Sequence, residues 1–269
     1  SGRTDEYLGI RNRQAKALFH QGNERGDAEA LEECGRVLEG MLATFSRDTP
    51  ALRCAPLHNN LGIVLSTLGE RQGSSALLKE AVLHLDKART VYEDAEDGLC
   101  WAGTVNNIGS AWVALGKLED DAMLFELAAI FHSEALQVFR REDLPMDWAH
   151  TQNCLGVALQ NLGDRQEGTE ALELSAAAFS EALKEATRER DPKGWAMIQN
   201  NLGTALAVIG ERARDIAQLR EAAKAYENAI EGFSEVAAPY YLEGSRANLS
   251  RVRALIAERE AADQDQDQE

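Results

Sequence analysis

The sequence predicts an all-α fold: a right-handed α-solenoid of five helix-turn-helix repeats, with one further helix capping its C-terminal end. Three observations predict it. The stretch Asn59-Asn60-Leu61-Gly62 returns as Asn-Asn-Ile-Gly at 106–109, Asn-Cys-Leu-Gly at 153–156 and Asn-Asn-Leu-Gly at 200–203, each time after 47 residues. A second glycine follows each marker glycine seven residues later, at Gly69, Gly116, Gly163 and Gly210, and one step back lies Gly22. Beyond the markers, three columns recur at helical spacing: Cys34, Ala81, Ala128, Ser175 and Ala222; then Leu38, Leu85, His132, Phe179 and Tyr226; then Met41, Ala88, Ala135, Ala182 and Ala229. Positions i, i+4 and i+7 share one helix face. A fixed period of this length marks stacked supersecondary units, none of which buries its apolar face alone.

The elements follow in order. Helices near 5–21 and 27–46 make the first repeat, residues 5–50. Those near 51–68 and 74–94 make the second (51–97), and those near 98–115 and 120–140 the third (98–144). The fourth repeat (145–191) pairs 145–162 with 168–188, and the fifth (192–237) pairs 192–209 with 215–236. Asp191 is placed to cap the fifth repeat's first helix, with Pro192 just inside it. Each first helix is expected to stop at its second glycine, in the left-handed cap conformation. In the last helix, 238–260, Ser250 takes the marker position among Arg246, Arg251, Arg253, Glu258 and Arg259. A helix with no further neighbour to receive should carry such a charged, wet face. The solenoid so defined covers 1–262, and the acid-amide run 263–269 is expected to be a disordered tail.

Glycine inside a helix costs about 1 kcal/mol relative to alanine, so a column of it implies close packing, with neighbouring backbones nearly in contact. A column of Trp101, Trp148 and Trp195, eight residues before the markers, works the other way. Each indole buries about 150–250 Å², and three stacked in register would form a continuous apolar seam.

The chain is 44% hydrophobic and 27% charged, enough apolar mass for a core. Its net charge of −17 repels phosphate backbones and argues against nucleic acid. A basic peptide or protein face suits it better, although acid also serves plain solubility. Cys34, Cys54, Cys100 and Cys154 stand far apart, as reduced and buried thiols of a cytoplasmic protein do. No apolar run approaches the ~20 residues that span a bilayer. The chain opens on Ser1-Gly2 without Met, as a segment of a longer protein would.

These residues resemble the tetratricopeptide repeat family. Its pattern, Leu-Gly in the first helix and Ala-x3-aromatic-x2-Ala in the second, is met by Leu202-Gly203 with Ala222, Tyr226 and Ala229, and by Leu155-Gly156 with Ser175, Phe179 and Ala182. The match covers about 5–260. The 47-residue period exceeds the family's usual 34, as in the extended repeats of the kinesin light chain type. The stretch Trp195–Leu206 looks like long bacterial repeats attached to caspase-like CHAT peptidases or signalling domains. The resemblance implies a non-enzymatic protein-interaction scaffold that binds an extended segment in a concave groove. Its alternatives are the recruiting or regulatory arm of a larger bacterial enzyme, for example a CHAT peptidase, and a self-assembling oligomer.

Asn12, Asn59, Asn106, Asn153 and Asn200 form one column across all five repeats. Asparagine is a poor helix-interior residue, so the column needs a reason. Either its amides line the groove and grip a peptide backbone, as related superhelices do, or they hold the stacking register. Beside it, Arg13, Asn60, Asn107, Cys154 and Asn201 form a second column, broken by Arg13 and Cys154 and so expected to be structural. The family's carboxylate clamp needs basic groove residues. The matching places, Pro56, Gly103, His150 and Met197, then Ile63, Ser110, Val157 and Thr204, offer none, so capture of chaperone tails is not expected. The five histidines lack metal-ligand spacing, and His132, in an aromatic column, is expected to pack in the core. Phosphate-loop, dinucleotide and nucleophile-elbow motifs do not occur, so neither a cofactor nor an enzyme activity is predicted.

Overall fold

A computed structural model describes residues 2–46 and 49–266. Its described residues form helices and connecting turns, with no strand. The chain divides into two compact units, 1–138 and 139–269. Unit 1 holds α1 (Gly2–Arg25), α2 (Ala28–Ala43), α3 (Ala51–Gln72), α4 (Ser75–Asp94), α5 (Gly98–Glu119) and α6 (Ala122–Val138). Unit 2 holds α7 (Pro145–Asp164), α8 (Glu170–Ala182), α9 (Pro192–Ala213), α10 (Ile216–Glu235) and α11 (Pro239–Gln266). α11 therefore runs to Gln266, into the stretch expected as a tail, and 267–269 lie outside the described residues.

Within each unit, odd and even helices pair as the repeats require. α1 packs on α2, α3 on α4, and α5 on α6; α2 also meets α3, and α4 meets α5. In unit 2, α7 packs on α8 and α9 on α10, while α11 packs on α10. The odd helices also touch across repeats: α3 meets α5, α7 meets α9, and α9 meets α11. No helix among the described residues is long and apolar enough to cross a membrane.

The starts of the even helices share one polar column. Asp27 Oδ1 accepts from Ala30 N at 3.1 Å, Ser74 Oγ from Leu77 N at 3.4 Å, Asp121 Oδ1 from Met123 N at 3.0 Å and Asp215 Oδ1 from Ala217 N at 2.8 Å. Such caps satisfy helix N–H groups that otherwise lack partners. Gly168 interrupts the column, and α8 begins at Glu170, after Thr169, without a side-chain cap. Asp191 caps α9 as expected, accepting from Gly194 N at 2.9 Å with Pro192 in the first turn.

Both glycine columns are seats for side chains of the following helix. A Cβ on Gly62 would lie 2.5 Å from Leu85 Cγ, on Gly109 2.7 Å from His132, on Gly156 2.6 Å from Phe179, and on Gly203 3.0 Å from Tyr226. The same is true of the second column, where Cβ atoms on Gly69, Gly116, Gly163 and Gly210 would meet Leu78, Phe125, Leu172 and Leu219 at 2.7–3.0 Å. The glycines thus admit a large knob rather than a bare neighbouring backbone. This corrects the expected helix ends. Gly69, Gly116, Gly163 and Gly210 lie inside their helices, because the knob needs a helical seat. The left-handed turn comes one turn later, at Gly73 (φ 61°), Asp120 (φ 53°) and Arg214 (φ 54°). The second glycines still take part through their carbonyls, which accept from Ser74 N (2.8 Å), Asp121 N (3.2 Å) and Asp215 N (2.9 Å).

Three arginines at one column, two residues after Gly69, Gly210 and Ala257, each clasp the preceding repeat. Arg71 donates to Gly22 O (2.8 Å) and Asn23 O (3.1 Å), Arg212 to Gly163 O (3.0 Å) and Gly168 O (2.7 Å), and Arg259 to Gly210 O (2.7 Å) and Glu211 O (3.0 Å). A guanidinium at the negative end of a helix satisfies its last carbonyls and meets its dipole favourably. The charge on α11 is accordingly directed back at the fifth repeat. Arg251 pairs with Glu211 at 3.0 Å and Arg253 with Glu227 at 2.7 Å.

Trp101 and Trp195 each pack in an apolar cluster of their own unit. Trp101 packs against Ala55, Ala88 and Tyr92 in unit 1. In unit 2, Trp195 packs against Ala196, Ala229 and Phe233. Arg141 lies over Trp148 and Arg188 over Trp195, at 5.5 and 5.6 Å from the ring centres. An arginine face suits an indole at the edge of a core.

Candidate interaction surface

The first asparagine column lies on the odd helices, and its members do different work. Asn59 Oδ1 accepts from Thr104 Oγ1 (3.2 Å) and Asn107 Nδ2 (3.1 Å), which ties α3 to α5. In unit 2, Asn153 Oδ1 accepts from Asn201 Nδ2 at 3.3 Å, and Asn200 Oδ1 accepts from Ser245 Oγ at 2.8 Å. These bonds join α7 to α9 and α9 to α11. Asn106 turns inward: it is 5% exposed, and its Oδ1 meets His132 Nδ1 at 2.8 Å. His132 is buried against Gly109, the core position expected for it. The bonds of Asn59, Asn153 and Asn200 tie consecutive odd helices, that of Asn106 ties α5 to α6, and each engages the carbonyl oxygen.

Asn12 is placed differently. It lines two adjoining hollows in unit 1. One, of 170 Å³, runs between Ala15, Phe19, Cys34, Leu38, Asn60 and Val64. The other, of 460 Å³, runs between Leu8, Met41, Phe45, Pro56, Leu57 and Asn60. Asn12, Lys16 and Asn60 border both, and Arg53 borders the larger. Together they form an apolar trough between α1 and α3 with two cations and two amides at its rim. A further hollow of 180 Å³ lies between α3 and α5, lined by Ile63, Thr67, Glu70, Asn107 and Ser110. In unit 2, one of 330 Å³ lies between α9 and α11, where Asn200 meets Tyr240, Tyr241 and Asn248. All of these hollows lie where consecutive odd helices pass one another.

Lys16 corrects the expectation that the groove positions carry no basic residue. It stands one 47-residue step before Ile63, in the same column. Extending that column by one repeat would have found it. Arg53 has no such signal, because its column reads Glu6, Arg53, Cys100, Asp147 and Gly194.

The cysteines also differ from expectation. All four thiols are free, but Cys34 alone is buried; Cys54 and Cys154 are half-buried and Cys100 is exposed. Cys34 and Ser175 share a column and a role, donating to Ala15 O (3.2 Å) and Gly156 O (2.8 Å). Between α3 and α4, His58 Nδ1 meets His84 Nδ1 at 2.8 Å. Burial, then the neighbouring ring and Lys87, push His58 down to about 4. Burial and Lys87 lower His84 as well. Among the described residues, no three His, Cys, Asp or Glu side chains gather as a metal site.

No family model matches the chain, and no curated protein matches it. Solved structures resemble it distantly. The MamA RS-1 ArsTM double mutant is 18% identical over 85% of this chain and 97% of its own, with a TM-score of 0.49. BtubC (BKLC) from P. vanneervenii is 16% identical over 94% and 92%, with a TM-score of 0.39. The TPR2AB domain of yeast Sti1, in complex with pHSP90, is 14% identical over 90% and 99%, with a TM-score of 0.34. At these scores none of the three bears on what this chain binds.

Proposed function

We propose that this protein is an interaction scaffold whose odd-helix troughs hold an extended segment of a protein partner. The observation that carries the reading is the α1–α3 trough. It combines an apolar floor with the rim of Asn12, Asn60, Lys16 and Arg53. Pockets that bind peptides join apolar lining to a few placed polar groups in this way. An apolar side chain of the segment enters the trough, and its backbone carbonyls take N–H donors from Asn12 and Asn60. Asn59 extends this grip within unit 1 with its amide N–H group, while Asn106 supports the fold beneath it; within unit 2, Asn153 and Asn200 offer their amide N–H groups in the same way. The overall charge of −17 favours a basic partner along most of the surface. Lys16 and Arg53 set a local exception, and the segment over them is neutral or acidic. Peptide selection from a random library on the full chain tests this. Selected peptides should share an apolar anchor and weaken at least about tenfold on Asn12→Ala or Lys16→Glu, with helicity unchanged. Selected peptides indifferent to both changes would contradict it.

In a larger bacterial enzyme, such as a CHAT peptidase, the same troughs would present the substrate; the flanking gene sequence decides between the two settings. Self-assembly has an observation of its own. α6 exposes Met123 (68%), Leu127 (37%) and Ile130 (54%) at i, i+4 and i+7. Light scattering checks it: Ile130→Lys should dissolve any oligomer, and a monomer mass for the native chain at high concentration refutes this second reading.

A further inference from the structure

His150 and Cys154 lie one turn apart on α7, so both project from one face of the helix. Their side chains meet, with Sγ 3.7 Å from Nε2. The imidazole is exposed and the thiol half-buried, which leaves the pair within reach of small solutes. Two carboxylates act on the ring. Asp147 lies one turn earlier on α7, and Asp191 caps α9. His150 is raised above the ordinary imidazole value, first by its hydrogen bond to Cys154 and that sulfur's charge, then by Asp147 and Asp191, against partial desolvation.

Two other thiols in the chain supply the contrast. Cys34 is buried, donates to a backbone carbonyl and is pushed up by burial to about 11. Cys100 is the exposed one, yet partial burial of its sulfur and the adjacent Asp97 raise it too. Neither has an imidazole in contact, and the Asp97 carboxylate opposes charge on Cys100, so exposure alone would favour Cys100 and chemistry favours Cys154.

We propose that Cys154 and His150 form a reactive thiol–imidazole pair, a site at which hydroperoxides oxidise this protein to a sulfenic acid. Nε2 first takes the thiol proton, and the thiolate Sγ then attacks the terminal peroxide oxygen. The S–O bond forms as the O–O bond breaks, and the leaving oxygen collects the proton from the imidazolium. One thiol and one hydrogen peroxide thus give one sulfenic acid and one water; sulfur is oxidised by two electrons and the peroxide reduced by two. The site is independent of whether the troughs hold a peptide.

The test uses the full chain, reduced and then freed of reductant. Limiting hydrogen peroxide is added, sulfenic acid is trapped with dimedone, and each cysteine is quantified by peptide mass spectrometry. Labelling of Cys154 should exceed that of Cys100 at least about tenfold. His150→Gln should slow Cys154 by at least the same factor and leave Cys100 unchanged. The native ratio needs no variant, so a misfolded substitution cannot hide the answer. A native ratio below tenfold, or a Cys154 rate that survives in a folded His150→Gln protein, overturns the proposal.

Discussion

Asn12 and Asn106 occupy the same column, two repeats apart in unit 1, and their situations are opposite. Asn106 is buried and bonded to His132, while Asn12 borders an open apolar trough beside Lys16. The repeat sets an address on the first helix; what stands opposite sets the job. Where the second helix carries His132, the amide has a buried partner to satisfy. In the first repeat the matching residue is Leu38, which offers no hydrogen bond, and the amide borders the hollow. A period in sequence therefore identifies equivalent positions without making their side chains equivalent in function.

Four substitutions or conditions sharpen this contrast, in falling order of expected effect. Asn106→Ala leaves the buried His132 Nδ1 without its acceptor and should cost about 1–3 kcal/mol, read as a lower urea midpoint. Next comes acid. His58 and His84 stand the same 26 residues apart as Asn106 and His132, but both members titrate. The folded His58 value of about 4 lies below the unfolded 6.5, so the fold favours the neutral ring. That stability is complete above pH 6.5 and is lost as pH falls through about 4. His84→Phe, which copies Phe131 one repeat on, should flatten that part of the melting-temperature profile relative to the native chain. Arg212→Ala removes the clasp on Gly163 and Gly168 and should cost about 1 kcal/mol, measured by the same urea titration. Asn12→Ala should change stability by no more than about 0.5 kcal/mol, since it breaks no buried bond, while lowering peptide affinity. A larger loss of stability there would place Asn12 with Asn106 and dissolve the contrast.

Much of this architecture was legible in the residues. The 47-residue step located the eleven helices of the described residues, and the large-and-small columns identified their inner faces, because buried packing repeats with the backbone. Helix ends were less legible. Glycine signals both a left-handed cap and a seat for a knob, and Gly69 and Gly116 proved to be the second kind. The clasp by Arg71, Arg212 and Arg259 had a signal in its spacing, but arginine on a helix surface ordinarily means solvation. Lys16 was in plain view in its column. The trough it borders was not, since a hollow depends on how Phe19, Leu38, Met41 and Phe45 fill space and not on any one residue type. The Cys154–His150 contact shows the same limit: i and i+4 spacing permits the bond, and side-chain rotamers decide it.

The most direct measurement is the side-chain amide spectrum of the full chain titrated with a library-selected peptide. The account predicts that the amide signals of Asn12 and Asn60 shift and saturate with the peptide while that of Asn106 stays in place. Movement of Asn106 with Asn12 unmoved, or shifts confined to the even helices, would contradict it.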